Sequence, residues 1–149
     1  MLPGLMQDAP LQISAILTHA ARAHGGREIV SKLVDEPLWR YDWAGCEQRS
    51  RQAAQMLGTL GIASGDRVSS LAWNTHRHLE LFYAVPGVGA VLHTANPRLS
   101  DEQIAFTINH AGSRILFLEA NLADLVERLK PRHPAIERYV LLAEPYEEL

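Results

Sequence analysis

From about Arg67 onward, short apolar runs alternate with longer segments whose apolar residues recur every three or four positions. The runs RVSSLA, AVLHT, RILFL and RYVLL favour β-strands, and each intervening segment has the spacing of one helical face. A strand that returns to its sheet in the parallel sense needs a helical crossover of this kind. The sequence therefore predicts an α/β fold with a parallel, doubly wound sheet layer and flanking helices.

The residues before this alternation predict a small β-hairpin placed between two helices. Apolar spacing favours helices over 11–24 and 43–60, the second capped by Asp42 and ended by Gly61. The runs EIVSKLV and LWRY, on either side of the turn residues 35–37, favour a strand pair. The side chains expected on the buried face of the second helix are Cys46, Ala53, Leu57 and Leu60.

Later helix boundaries are predicted from capping residues. Asn74 is the expected N-cap of a helix that runs through Val85, and Ser100 forms a capping box with Gln103. The segment 120–130 predicts a helix that Pro131 ends. Because no repeat or linker interrupts the pattern, we interpret residues 1–149 as one domain.

Composition excludes several classes of protein. The 149 residues include 14 basic and 17 acidic side chains, a formal net charge of -3, so the chain lacks the cationic surface typical of nucleic-acid binding. Cys46 is the single cysteine, which excludes an internal disulfide and fits a reducing, cytoplasmic compartment. The N-terminus has no basic start with a long apolar run, and we expect no membrane span and no export signal.

The stretch VPGVGAVLHTANPRLS places Gly87 and Gly89 between a predicted helix and a predicted strand. A phosphate-binding loop has the opposite order, because the amide hydrogens at a helix N-terminus hold the anion. The third glycine of that motif is replaced by Leu92. We therefore expect the two glycines to turn the chain rather than to bind phosphate.

His93 and Asn96 lie where open α/β sheets place ligands, at the carboxyl end of a strand. Turn formation and an ordinary side-chain hydrogen bond explain both residues equally well, and we favour that interpretation. His76 and His78 form an HxH pair, but residues two apart on a helix point away from each other and do not readily share a metal.

The remaining reactive residue types form no recognisable site. Cys46 is expected to pack on an apolar helix face, the other histidines are scattered, and no GxSxG motif surrounds a serine. The sequence therefore predicts no catalytic, cofactor-binding or metal-ligating residue within this chain.

The order of motifs resembles the N-terminal portion of acyl-CoA synthetases of the adenylate-forming superfamily, above all the medium- and long-chain fatty-acid-CoA ligases. The resemblance lies in GDRV at 65–68, in the long segment from Trp73 to Ser100 and in INHAGSRILF at 108–117. It extends over nearly the whole chain, and the long segment is its most specific part.

The resemblance implies an enzyme that activates a fatty acid with ATP and Mg²⁺ to an acyl-adenylate and then forms a thioester with coenzyme A. The family's Ser/Thr/Gly-rich loop, its nucleotide-binding motifs and its C-terminal lysine have no match between Met1 and Leu149. We therefore expect an N-terminal fragment that needs no cofactor of its own, is inactive alone and serves as a scaffold. A homodimer contact is a further implication.

Two other interpretations remain open at this point. The chain is consistent with a self-standing interaction or dimerisation module, because its helices are well capped and it shows no site. It is also consistent with a small acyl- or nucleotide-binding domain that uses the HTANP end of the sheet.

Overall fold

The computed structural model describes residues 4, 8–34 and 36–143, together with the backbone at 147–148. These residues form α1 (Ile13–His24), β1 (Glu28–Ser31), β2 (Trp39–Asp42), α2 (Trp43–Thr59), β3 (Arg67–Leu71), α3 (His76–Gly87), β4 (Val91–Ala95), α4 (Asp101–Ala111), β5 (Ile115–Glu119), α5 (Ala123–Leu129), β6 (Arg138–Leu142) and β7 (Glu147–Glu148). The predicted turn at 35–37 and the N-terminal stretch fall partly outside the described residues.

The main sheet has the strand order β4-β3-β5-β6-β7, and its first four strands are parallel. The chain moves outward from β3 to β4, then crosses back to build β5 and β6 on the other side of β3. Because such crossovers are right-handed, α3 covers one face of the sheet and α4 and α5 cover the other. The predicted doubly wound α/β layer is confirmed, as is the antiparallel β1–β2 hairpin.

Side chains on the two faces of the sheet form two separate cores. Every residue of β5 is buried, which is typical of a central parallel strand covered on both sides. Phe117 packs with α2 and α3 residues, whereas its neighbours Leu116 and Leu118 pack with α4 and α5 residues. The first core includes Leu57, Leu81, Val85 and Phe117, and the second includes Leu71, Ile104, Ile108 and Leu129.

Two predicted caps are confirmed and one is wrong. The Gly45 amide donates to Asp42 Oδ1 at 2.8 Å, and Ser100 and Gln103 form a complete capping box at the start of α4. Asn74 does not cap α3. Thr75 takes that position, and its hydroxyl oxygen accepts from the His78 amide. The helix begins one residue later than predicted because both residue types cap well and Thr75 also has a buried partner.

Several predicted boundaries also differ from the structure. Helix α1 begins at Ile13, and β1 ends at Ser31, three residues before the end of its predicted run. The single helix predicted over 120–130 is divided, because α5 lies between two short 3₁₀ turns and Pro131 sits inside the second. No helix in the described ranges is long and apolar enough to cross a membrane.

Candidate functional site

A cleft of about 400 Å³ opens at the carboxyl ends of β3 and β4. Open α/β sheets place ligands at this edge, next to the position where strand order reverses. The cleft lies between the segment that follows β3, the first half of α3 and the turn that follows β4. Its lining residues are Ala72, Trp73, Asn74, His78, Phe82, Thr94, Ala95, Asn96, Pro97 and Arg98.

The structure supports the turn interpretation of His93 and Asn96. His93 Nδ1 lies 2.9 Å from the Ser69 hydroxyl, which itself donates to the Ser113 hydroxyl at 2.8 Å. Asn96 Oδ1 accepts from the Arg98 amide at 2.9 Å, which fixes the turn after β4. His93 is therefore a satisfied strand residue, and Asn96 reaches the cleft only as part of its wall.

Trp73 and Arg98 give the cleft its most distinctive chemistry, and the sequence interpretation missed both. The guanidinium carbon of Arg98 lies 5.9 Å from the centre of the Trp73 ring, within cation–π range. The Trp73 indole donates to Asn121 Oδ1 at 3.3 Å, which orients the ring from the short 3₁₀ turn that follows β5. An aromatic plane beside a guanidinium can hold a flat or anionic group.

His78 forms a buried hydrogen-bond chain beneath the cleft. Its Nδ1 donates to the Trp73 carbonyl at 3.1 Å, so its Nε2 accepts from the Ser70 hydroxyl at 2.9 Å in the neutral ring. Burial lowers the pKa of His78 and keeps the ring neutral. The pair resembles a nucleophile with its base, but Ser70 is fully buried and a substrate cannot reach its oxygen. These hydrogen bonds instead hold the floor of the cleft in place.

Arg77 is the centre of a charged cluster at the same end of the sheet. Its guanidinium donates to both carboxylate oxygens of Glu36, at 3.1 and 3.0 Å, and lies 3.8 Å from Glu119 Oε2. The Thr75 hydroxyl donates to Glu119 Oε1 at 2.7 Å. Burial raises the pKa of Glu119, while the Thr75 hydrogen bond and Arg77 act in the opposite direction. This cluster joins the hairpin loop, α3 and β5.

His76 and His78 lie against different parts of the fold. The His76 ring stacks on Trp39 of β2, with 4.7 Å between the ring centres, whereas His78 faces β3. Within the described residues, no three His, Cys, Asp or Glu side chains come together as a metal site. Cys46 is buried, as predicted, and burial raises the pKa of its thiol.

The segment from Gly87 to Ala90 turns the chain, as predicted. The amides of Val88, Gly89 and Ala90 donate back to carbonyls in the last turn of α3. Gly89 has φ 79°, a conformation that favours glycine, and its carbonyl accepts from the Gly65 amide at 2.9 Å. A triphosphate does not fit this turn, because these amide hydrogens are already used.

A family model described as AMP-binding enzyme matches residues 17–148, nearly nine-tenths of the chain. The chain belongs to the AMP-binding enzyme family. This match confirms the resemblance predicted from GDRV and from the segment between Trp73 and Ser100.

Curated relatives within the AMP-binding enzyme family include several acyl-CoA ligases. A 3-methylmercaptopropionyl-CoA ligase of Ruegeria pomeroyi is 44% identical over 93% of this chain and 26% of its own length. A long-chain-fatty-acid–CoA ligase of Thermus thermophilus is 42% identical over 95% of this chain and 26% of its own length. A medium-chain-fatty-acid–CoA ligase of Ectopseudomonas oleovorans is 40% identical. The chain therefore spans about a quarter of the length of these relatives.

Solved structures share the fold of this AMP-binding family member. The N-terminal domain of FACL13 from Mycobacterium tuberculosis has a TM-score of 0.78 at 24% identity, over 89% of this chain and 34% of that one. Acetoacetyl-CoA synthetase from Streptomyces lividans has the same TM-score at 18% identity, over 88% of this chain and 22% of that one. At this identity the likeness defines the fold alone.

Proposed function

We propose that residues 1–149 form the N-terminal subdomain of an ATP-dependent, AMP-forming fatty-acid-CoA ligase. The observation that carries the proposal is the family match over 17–148, together with 40–44% identity to acyl-CoA ligases. The whole enzyme takes a fatty acid, ATP and coenzyme A, requires Mg²⁺ and acts in the cytoplasm. A homodimer contact through this region belongs to the same proposal.

The proposed reaction has two displacement steps. The fatty-acid carboxylate attacks the α-phosphorus of ATP and expels pyrophosphate, and the sulfur of coenzyme A then attacks the acyl carbon and expels AMP. Charge on the leaving pyrophosphate requires donors aimed at it. The turn at 87–90 does not supply them, so we assign the chemistry to parts of the enzyme outside residues 1–149.

The proposed role of this chain is to brace the enzyme. Its two cores hold the sheet rigid, and the Arg77 cluster fixes the β1–β2 hairpin against α3 and β5. Rigid secondary structure is what positions a catalytic centre elsewhere in a protein. Its residues act through this framework and not on the reacting atoms.

The experiment is to translate the reading frame beyond the Leu149 codon and to compare the longer polypeptide with the 149-residue chain. Each is mixed with ATP, Mg²⁺, coenzyme A and a series of acids from octanoate to palmitate. The proposal expects AMP and acyl-CoA in equal amounts from the longer polypeptide and neither from the chain. Comparable turnover by the chain alone, or a reading frame that stops at Leu149, would overturn it.

A second candidate function, small-molecule binding, is favoured by the cleft beside Trp73 and Arg98. The ring and the guanidinium form the kind of surface that holds an aromatic or anionic ligand. Calorimetry of the chain with AMP and, separately, with octanoate tests it. Binding that Trp73→Ala abolishes would support this function, and no heat from either ligand at millimolar concentration would dispose of it.

A further inference from the structure

Strand β4 is an open edge of the main sheet. Within the part of the chain that the structure describes, β4 pairs with β3 and carries no strand on its other side. The Val91 amide donates to the Asp66 carbonyl at 2.8 Å, so the backbones of Val91, His93 and Ala95 face β3. By the same alternation, the backbone groups of Leu92 and Thr94 point outward.

Strand β4 has none of the sequence features that usually keep an exposed sheet edge from pairing with another strand. Proteins blunt open edges with lysine, proline or a bulge, because the outward amides and carbonyls pair readily with another strand. The sequence of β4 is VLHTA, without a charged residue or proline, and its pairing with β3 is regular over all five residues. The backbone of β4 is therefore ready to accept a further strand.

An apolar groove of about 580 Å³ runs beside the same edge. Helix α1 supplies Ile13 and Ile16, and β4 supplies Val91 and Leu92, while α3 forms the floor. Ile13, Ile16 and Val91 are 51%, 62% and 52% exposed. Apolar side chains grouped in this way mark a surface that something covers.

The shape and chemistry of the groove suit a strand better than a small ligand. Ligand pockets combine apolar walls with a few convergent polar groups, whereas here the lining side chains are apolar except for Tyr83. A strand paired to β4 would place every second side chain on the α3 face, where Leu92 lies. Backbone pairing and groove filling would then occur together, as in β-strand addition.

We propose that an extended apolar segment of the same polypeptide, encoded beyond Leu149, pairs with β4 and fills this groove. The inference rests on the proposed function, because that function requires a longer enzyme. The curated relatives are about four times the length of the matched region, so they contain ample chain to supply the strand. The sheet of this chain thereby continues into the remainder of the enzyme.

Amide hydrogen exchange tests the pairing residue by residue. In the 149-residue chain, the Leu92 and Thr94 amides exchange quickly, while Val91 and His93 are protected by β3 and serve as internal controls. In the longer polypeptide, exchange at Leu92 and Thr94 slows by at least about tenfold, because those amides now donate to the added strand.

Charge substitutions test the groove independently. In the longer polypeptide, Ile13→Lys and Ile16→Lys lower the melting temperature by several degrees, because each places an ammonium group in a covered apolar site. In the 149-residue chain the same changes leave it nearly unaltered. The matched control is Phe106→Lys on α4, which covers the opposite face of the sheet from α3; Phe106 is 67% exposed, and its substitution has little effect in either protein.

The outcomes separate this inference from the proposed function. An active longer enzyme in which Leu92 and Thr94 still exchange quickly overturns the inference and leaves the function standing. Concentration-dependent protection of the same amides in the isolated chain, with a dimer by sedimentation, overturns it in favour of a second copy. Failure of the longer polypeptide to make acyl-CoA overturns the proposed function instead.

Discussion

The guanidinium of Arg77 holds both carboxylate oxygens of Glu36, which ties the loop between β1 and β2 to the first turn of α3. The Arg77 side chain is 4% exposed and that of Glu36 is 46% exposed, so the bond closes a buried cluster from its solvent side. Glu119, at the end of β5, completes the cluster. The hairpin is therefore attached where strand order reverses in the sheet.

Replacing Arg77 by Met should destabilise the chain by about 3 kcal/mol, because it leaves the buried Glu119 carboxylate without its cation. Glu36→Gln should cost about 1 kcal/mol, since that partner is half exposed. The control is Arg40→Met, which breaks an exposed pair with Glu28 and should cost less than about 1 kcal/mol. Urea unfolding measures all three, and equal losses for Arg77→Met and Arg40→Met would refute the role of the cluster.

Gly89 and Gly87 offer a matched pair of substitutions in the turn after α3. Gly89→Ala should lower the free energy of unfolding by about 1–2 kcal/mol because of the left-handed backbone alone. The added Cβ would also lie 2.7 Å from Ser64 Oγ. Gly87→Ala meets no atom within 4 Å and lies in the helix, so it should be neutral or gain up to about 1 kcal/mol. Thermal unfolding of both variants is the measurement. If Gly87→Ala proved the more damaging, the turn would have been described wrongly.

His133 is buried, and neither of its ring nitrogens has a hydrogen-bond partner among the described residues. An unsatisfied buried polar group costs stability, so His133→Leu should stabilise the chain by about 1 kcal/mol. His133→Gln keeps a polar group in the same place and should bring no gain. Chemical unfolding at pH 7.5 compares the three proteins. A large loss in His133→Leu would mean that the ring makes a bond the structure does not display.

Stability should fall as the pH drops from 7.5 to 5, in part through His78. Burial lowers the pKa of His78 in the folded state, while the unfolded chain takes up its proton near the usual value of about 6.5. The contribution of the neutral His78 ring to folding stability is therefore fully present above about pH 6.5. It is lost as the pH falls below that value and through the lower pKa that His78 has in the folded protein. His78→Gln should flatten that slope. Urea unfolding at several pH values measures the slopes.

Local sequence signals predicted those parts of the fold that depend on local geometry. The capping box of Ser100 and Gln103 lies within three residues, and the helical and strand periods are read from neighbouring positions. The predicted cap of α3, Asn74, lies one residue before the observed cap, because Asn74 and Thr75 are both residue types that cap helices well. What selects Thr75 is its bond to Glu119, which lies 44 residues away in sequence.

The candidate site was harder to predict, because its contacts join distant parts of the chain. Arg77 and Glu36 are 41 residues apart, and Trp73 and Asn121 are 48 apart. Nothing in the spacing of single residues indicates such pairs. The HTANP stretch did indicate the edge of the sheet at which the cleft opens, because a strand followed by turn residues shows where the carboxyl end of that strand lies. It did not indicate that Trp73 and Arg98, on either side, give the cleft its character.

An isotope experiment tests the central claim most directly. The longer polypeptide and the 149-residue chain are each supplied with ATP, Mg²⁺, coenzyme A and a fatty acid whose carboxylate oxygens are ¹⁸O, and the AMP formed is analysed by mass spectrometry. Attack of the carboxylate on the α-phosphorus predicts AMP with one ¹⁸O atom from the longer polypeptide and no AMP from the chain alone. Unlabelled AMP, label in inorganic phosphate, or labelled AMP made by the chain alone would contradict the account.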